Sequence, residues 1–290
     1  MVTDLRHALR TLGHAPAFTL VVILTLGLGI GPNTAIFSLI DQLLLRLLPV
    51  SNPEELVQLD GPGPFNGRTM NDQTFSYPMY QDFRDRNDVL SGTIARAGFD
   101  ATLVEQGQAE RVNVELVSGN FFEVLGVRPV LGRAIAPDDD RVRAGHPVVV
   151  LSHRYWMRRF AGNPQVLNSS LTINTTQMTV IGIAPPTFSG VLAVNAPDLF
   201  VPLMMKAQIT PTWDDLDNRR SRWVTVIGRL KPGVSIETAR AQLDVTYKQI
   251  NAEELESIPA FVAASQTFKD RFRAKALAVE AAGKGLSGLR

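Results

Sequence analysis

Between Ala15 and Ile40 the chain carries no Asp, Glu, Lys, Arg or His, and the run from Phe18 to Ile30 is apolar almost throughout. A helix rises about 1.5 Å per residue and a bilayer's hydrocarbon core is about 30 Å thick, so Phe18 to Ile40 is long enough to span it. The competing reading is a buried helix of a water-soluble core, which is usually shorter and has a polar face. A cleavable signal peptide is a second rival. Against it, apolar character continues through Leu39, Leu43–Leu45 and Leu47–Leu48, and no A-x-A site follows. The stretch reads as a retained transmembrane helix with an outer extension, residues 15–48.

What flanks the run sets its orientation. Met1 to His14 places Leu5, Ala8, Leu9 and Leu12 on one helical face and Arg6 and Arg10 on another. That is the spacing of a short amphipathic helix lying at the membrane surface, with a break at Ala15-Pro16. Arg6 and Arg10 precede the span, whereas Asp41, Arg46, Glu54 and Glu55 follow it. Positive charge favours the cytoplasmic side, which puts the N-terminus inside and residue 50 onward outside. Inside the run, G-L-G-I-G lacks the preceding strand that a nucleotide loop needs. Gly27 and Gly31 form a G-x-x-x-G pair that would let a second helix approach, although glycine is also simply common in membrane helices. Pro32 is expected to kink the helix or end its first half, beside the polar Asn33.

After residue 50 the pattern becomes that of an α+β domain. Short strands are expected at Leu56–Leu59, Ala101–Glu105, Ala109–Val117, Val148–Leu151, Val166–Asn174 and Gln177–Ala184, with an edge-like strand at Asp198–Pro202. Ser76, Ser152 and Ser235 are placed to cap helices. A βα unit follows: strand Trp223–Leu230, turn Lys231-Pro232-Gly233, then a helix with Ile236, Ala239, Leu243 and Ile250 on one side. Trp213 to Arg222 is polar and reads as an exposed connection. Residues 263–290 read as a basic, glycine-containing tail without folded closure.

Chemistry-bearing motifs are scarce. With no cysteine, a disulfide framework or thiolate metal site is excluded, and a net charge of +1 gives no electrostatic case for nucleic acid. Asp138-Asp139-Asp140 lacks calcium-loop spacing and reads as a solvated loop. His146 and His153 lack a third ligand at a metal spacing. No G-x-S-x-G, H-E-x-x-H or Walker A sequence occurs, so neither an enzyme nor a cofactor is expected. Trp156, Trp213 and Trp223 read as core or interface residues.

Four segments carry a resemblance. DLRHALRTLGHAPAFTLVVILTLGLGIGPNTAIFSLIDQLLLRLLP, VELVSGNFFEVLGVRPVLGR, VVVLSHRYWMRRFAGNPQVLNSSLTINTTQMTVIGIAPPTF and VTVIGRLKPGVSIETARAQLD resemble MacB/FtsX-type ABC transporter permeases. More narrowly, they are similar to the duplicated orphan permeases of acidobacteria. The resemblance implies one N-terminal membrane helix, a periplasmic core at 54–262 and further helices beyond it. That core would hold a porter-like α/β lobe from 54–130 and 220–262, with a mostly β lobe, 131–219, inserted. It also implies work by mechanotransmission, driven by a cytoplasmic ATPase docking near Arg6 and Arg10, and homo- or hetero-dimers with other permease subunits. The chain stops at KGLSGLR, where the family would run into its second membrane helix, and so reads as a truncated member or fragment. The alternative function is an anchored periplasmic interaction module without transport activity, and a degraded remnant is a third possibility.

Overall fold

The computed structural model describes residues 16–40, 47–62, 74–105, 107–192 and 195–286, which fall into two units divided between Arg46 and Leu47. In the first, helix α1 (Pro16–Ile40) is 25 residues long and continues through Pro32. Leu20, Val21, Ile23, Leu24, Leu26, Leu28 and Ile30 are each more than half exposed, and at 100° per residue they fan over more than half of the cylinder. The two threonines hide their hydroxyls in the helix itself: Thr25 Oγ1 donates to Val21 O at 2.7 Å and Thr34 Oγ1 to Ile30 O at 2.9 Å. Taken over the described residues alone, no helix is long and apolar enough to cross a membrane. Within α1, the side chains of Phe18, Pro32, Asn33 and residues 35–40 lie outside those described.

The second unit is a mixed α/β fold. In chain order it contains β1 (Leu56–Asp60), α2 (Tyr77–Asp85), β2 (Leu90–Glu105), β3 (Gln108–Val117), α3 (Phe121–Leu125), β4 (Leu131–Gly132), β5 (Val148–Leu151) and α4 (His153–Phe160). Then come β6 (Ser170–Ile173), β7 (Thr176–Ile183), β8 (Leu199–Pro202), α5 (Lys206–Ile209), β9 (Thr225–Leu230), α6 (Ile236–Ser257), α7 (Pro259–Val262), α8 (Gln266–Arg273) and β10 (Ala278–Ala281). Among the described residues the ten strands form one sheet in the order β10-β1-β9-β2-β3-β8-β5-β7-β4, with β6 off this path.

β6 pairs with both β2 and β7, so β2, β3, β8, β5, β7 and β6 close on themselves as a small barrel. Strands β9, β1 and β10 extend it as an open wing. Alternation along the strands sorts the apolar side chains into two layers. Ala101, Leu103, Val114, Leu171, Val180 and Val201 belong to one layer, which continues under α2 and α6. Ile94, Val117, Ile227 and Phe200 face the other way, against Phe121, Phe122 and Phe188.

Local chemistry explains the elements that sequence patterning found. Ser76, Ser152 and Ser235 accept hydrogen bonds from Met79 N, Tyr155 N and Thr238 N, each at 3.2 Å, satisfying otherwise orphaned helix N–H groups. Ala239, Leu243, Tyr247 and Ile250 form the buried stripe of α6. Three expectations are corrected. β2 begins at Leu90, not Ala101, because it lies between β9 and β3, and pairing on both sides overrides weakly strand-forming Ser91, Gly92 and Gly98. β8 is not an edge: it lies between β3 and β5 with all its residues buried, and its four residues are too few to show that from sequence. The tail folds as well. Ser265 caps α8, whose Phe268 and Phe272 pack on Phe261, and β10 pairs with β1.

Candidate functional site

Residues 47–55 lead into β1 and are held by close backbone approaches and one mostly buried cation, which makes them the candidate site. Leu48 and Val50 pack against the aromatic layer under α3. Leu48 N donates to Gly283 O at 2.7 Å, and Ser51 N donates to Leu125 O at 3.0 Å. The connector therefore lies beside the turn that follows β10, because β10 runs antiparallel along β1 and Ala282 N donates to Leu56 O at 2.8 Å. Gly283 is required by this approach: a Cβ there would lie 2.4 Å from Pro53 O. Gly126 closes the other side. It ends α3 at φ +69°, and a Cβ would lie 2.0 Å from Ser51 Oγ.

One side chain ties the connector to the sheet. Ile227 and Arg229 sit two apart on β9 and so share a face, the one covered by α3. Arg229 Nε donates to Val124 O at 2.8 Å and Nη1 to Asn52 O at 2.9 Å, while Nη2 donates to Ser51 O. The same guanidinium pairs with Glu55 at 3.0 Å, and its side chain is only 13% exposed. A single fixed cation thus holds the connector, α3 and a central strand. These residues line an open cleft of about 380 Å³.

A second set of staples lies in Asp138-Asp139-Asp140, where Asp138 is solvated as expected from composition but Asp139 and Asp140 are not. Asp139 is buried, pairs with Arg133 and accepts from Ala136 N at 2.9 Å. Burial works against its ionisation, but the bonds from Arg133 and Ala136 N hold its carboxyl below the usual range. Asp140 accepts from Met204 N at 2.8 Å and Gly119 N at 3.0 Å, joining α3's approach to the end of β8. Burial pushes its carboxyl up to about 7, and does the same at Glu254.

Both folded-state values lie above the ordinary carboxylate pKa of about 4, so between about pH 4 and 7 the native state holds protons that the unfolded state has released. Stability should therefore fall as pH rises across that window. Asp140→Asn combined with Glu254→Gln should flatten the dependence of the urea midpoint on pH. An unchanged slope in the double variant would refute the assignment.

Gly27 and Gly31 lie one turn apart on α1, and a Cβ added at either meets nothing within 4 Å. α1 does not end at Pro32. Arg6 and Arg10 lie outside the described residues. Among the described residues no group of three His, Cys, Asp or Glu side chains could hold a metal ion. Sequence reasoning missed Ser51, Arg229 and Gly283, and marked Gly126 only as the end of the Phe121–Leu125 helix, which it is. Only Arg229 left a signal, as a cation on the Ile227 face of an otherwise apolar strand.

A sequence profile described as the MacB-like periplasmic core domain matches residues 19–245. Comparison with curated proteins yields no match. Among solved structures, the chain is similar to the periplasmic region of MacB from Actinobacillus actinomycetemcomitans. That match has TM-score 0.53 and 15% identity, and covers 83% of this chain and 94% of that one. It is also similar to the extracellular domain of the noncanonic ABC-type transporter YknZ from Gram-positive bacteria, with TM-score 0.51 and 13% identity over 69% and 94% of the two chains. A domain of a putative permease protein from Porphyromonas gingivalis gives TM-score 0.54 and 13% identity over 83% and 96%. At such identities these structures speak to the fold alone.

Proposed function

The chain belongs to the MacB-like periplasmic core domain family, and from that premise we propose that it is the anchored periplasmic part of a MacB/FtsX-type ABC transporter permease. In this reading α1 crosses the inner membrane with its N-terminus in the cytoplasm. The support is in the sequence, where the 23 residues from Phe18 to Ile40 carry no Asp, Glu, Lys, Arg or His and as a helix would extend about 35 Å, against about 30 Å of hydrocarbon. Gly27 and Gly31 pack against a neighbouring membrane helix, from the same chain or a second permease subunit, and Pro32 supplies a bend. In this reading 131–219 is the inserted lobe and 54–130 with 220–262 the porter-like lobe, the two sharing the barrel that β2 and β3 close with β5 to β8.

The observation that carries this reading is the junction at Leu48 and Gly283. There the connector is hydrogen-bonded to the turn after β10 and, through Ser51, to the end of α3, which suits a segment that hands motion to several elements at once. ATP is hydrolysed by a separate cytoplasmic ATPase. Helix movement reaches the connector, and Arg229 passes it to β9 and the barrel without substrate entering the bilayer.

The arginine bias ahead of α1 motivates a test of this partnership. Arg6→Glu with Arg10→Glu should abolish co-purification of the ATPase and disturb insertion, measured by affinity capture from solubilised membranes and by membrane fractionation. If both survive, Arg6 and Arg10 have no docking role.

A further inference from the structure

Residues 210–222 cross from α5 to β9 as a strap with an unusual set of fastenings. The backbone hydrogen bonds made by its amides stay within the strap or reach back to Lys206: Thr210 N to Lys206 O, Trp213 N to Thr210 O, Asn218 N to Asp215 O and Ser221 N to Asn218 O. Leu216 is its one deeply buried apolar side chain. The remaining ties are charges. Arg143 pairs with Asp214 and Asp217, and Arg219 pairs with Asp82 of α2 at 2.7 Å and with Glu254 of α6 at 3.3 Å.

The third tie is a plug. Lys206 has no exposed surface, and its Nζ lies 3.8 Å from the Trp213 ring centre, 4.8 Å from Trp223 and 4.9 Å from Phe99. It donates to Thr210 Oγ1 and to Trp213 O, so one buried ammonium pins the strap to the barrel. In the strap and the box, Asp214 Oδ1 and Trp223 Nε1 are buried with no hydrogen-bond partner among the described residues. Such atoms carry a desolvation cost that water would relieve on opening.

We propose that residues 210–222 form a latch that lifts as a unit while the sheet stays folded, releasing Lys206 from its box of Phe99, Trp213 and Trp223. Charge sets the latch. Lys206 is faced by Asp214 and Asp215, and burial brings its ammonium down to about 8. Glu254 is faced by Arg219, Arg222 and Asp82, and burial raises its carboxyl to about 7. Salt should weaken the outer ion pairs, which are partly exposed. The local opening draws on the low-stability end of the fold.

Limited trypsin digestion of the full chain in detergent, read by mass spectrometry, tests this. Cleavage after Arg219 and Arg220 reports the strap, and cleavage after Arg111 of β3 reports opening of the sheet. In wild type the strap sites should cut first. Lys206→Met keeps an apolar filling in the box but removes the ammonium, and it should speed strap cleavage about tenfold or more with the Arg111 rate unchanged. Raising salt from about 0.05 to about 0.5 M should speed wild-type strap cleavage relative to Arg111 severalfold, which keeps the test valid if the variant folds poorly. Strap cleavage that follows Arg111 in step, or that ignores both the substitution and salt, would overturn the proposal.

Discussion

Replacing Arg229 with methionine should lower the unfolding temperature of the globular unit by about 10 °C. Methionine preserves much of the stem but leaves Ser51 O, Asn52 O, Val124 O and the Glu55 carboxylate without the guanidinium that joins them. Breaking a mostly buried charge cluster from one side costs about 3–5 kcal/mol, and each kcal/mol shifts the melting point of a unit this size by about 2–4 °C. The loss should be local before it is global. Amide exchange in residues 48–55 should accelerate at least about tenfold, while β3 and β7 keep their protection. Arg229→Lys should recover only part, because an ammonium cannot present the same fork to several carbonyls. A melting point within about 2 °C of wild type would mean that the connector is held by its apolar contacts instead.

The second large effect concerns the joint between the barrel and its open wing. On β2 and β3, Arg96 Nε and Nη2 bind the two oxygens of Glu115 at 2.9 and 3.1 Å, with side chains 10% and 2% exposed. Gly98 stands directly opposite Glu115, and a Cβ on it would lie 2.9 Å from Arg96 Nη2. The missing side chain lets the guanidinium lie across the strand. Glu115→Ala strands that cation inside the fold and should cost about 3–5 kcal/mol in denaturant unfolding. Arg96→Met with Glu115→Leu removes both charges together and should recover most of that loss. If the double variant is as unstable as the single, the pair contributes through its own attraction and not merely by satisfying a buried charge. A double-mutant cycle separates the two cases.

Much of this architecture could be read from residue patterns, and the failures share a cause. Serine caps, the Val112/Val114/Leu116 alternation and the α6 stripe are local signals, and they mark real elements. What they cannot show is which strand lies beside which. β8 reads as an edge because its four residues carry no information about β3 and β5 on either side. The β10 segment reads as part of an unstructured tail because AVEA is short and followed by glycines, and pairing with β1 orders it. Asp139 and Asp140 read as solvated because three adjacent acids usually are, yet Arg133 and Ala136 N hold Asp139, and Gly119 and Met204, distant in sequence, hold Asp140. The connector site is harder still. Ser51, Gly126 and Gly283 matter through close approach of backbones, and Arg229 through carbonyls far apart in the chain. By contrast, the apolar character of α1 and the charges before it are properties of the sequence itself, so the membrane reading depends on no tertiary contact.

That reading makes one demand that can be checked directly: the two ends of α1 must lie on opposite sides of the inner membrane. The chain contains no cysteine, so single substitutions give a clean background. Thr3→Cys and Glu280→Cys should be expressed separately and exposed to a membrane-impermeant maleimide in spheroplasts, before and after lysis. Glu280 is solvent-exposed on β10, so its substitution leaves the fold intact. The account predicts that Glu280→Cys is labelled in intact spheroplasts and Thr3→Cys only after lysis. Labelling of both positions only after lysis, or of Thr3→Cys alone beforehand, would contradict it.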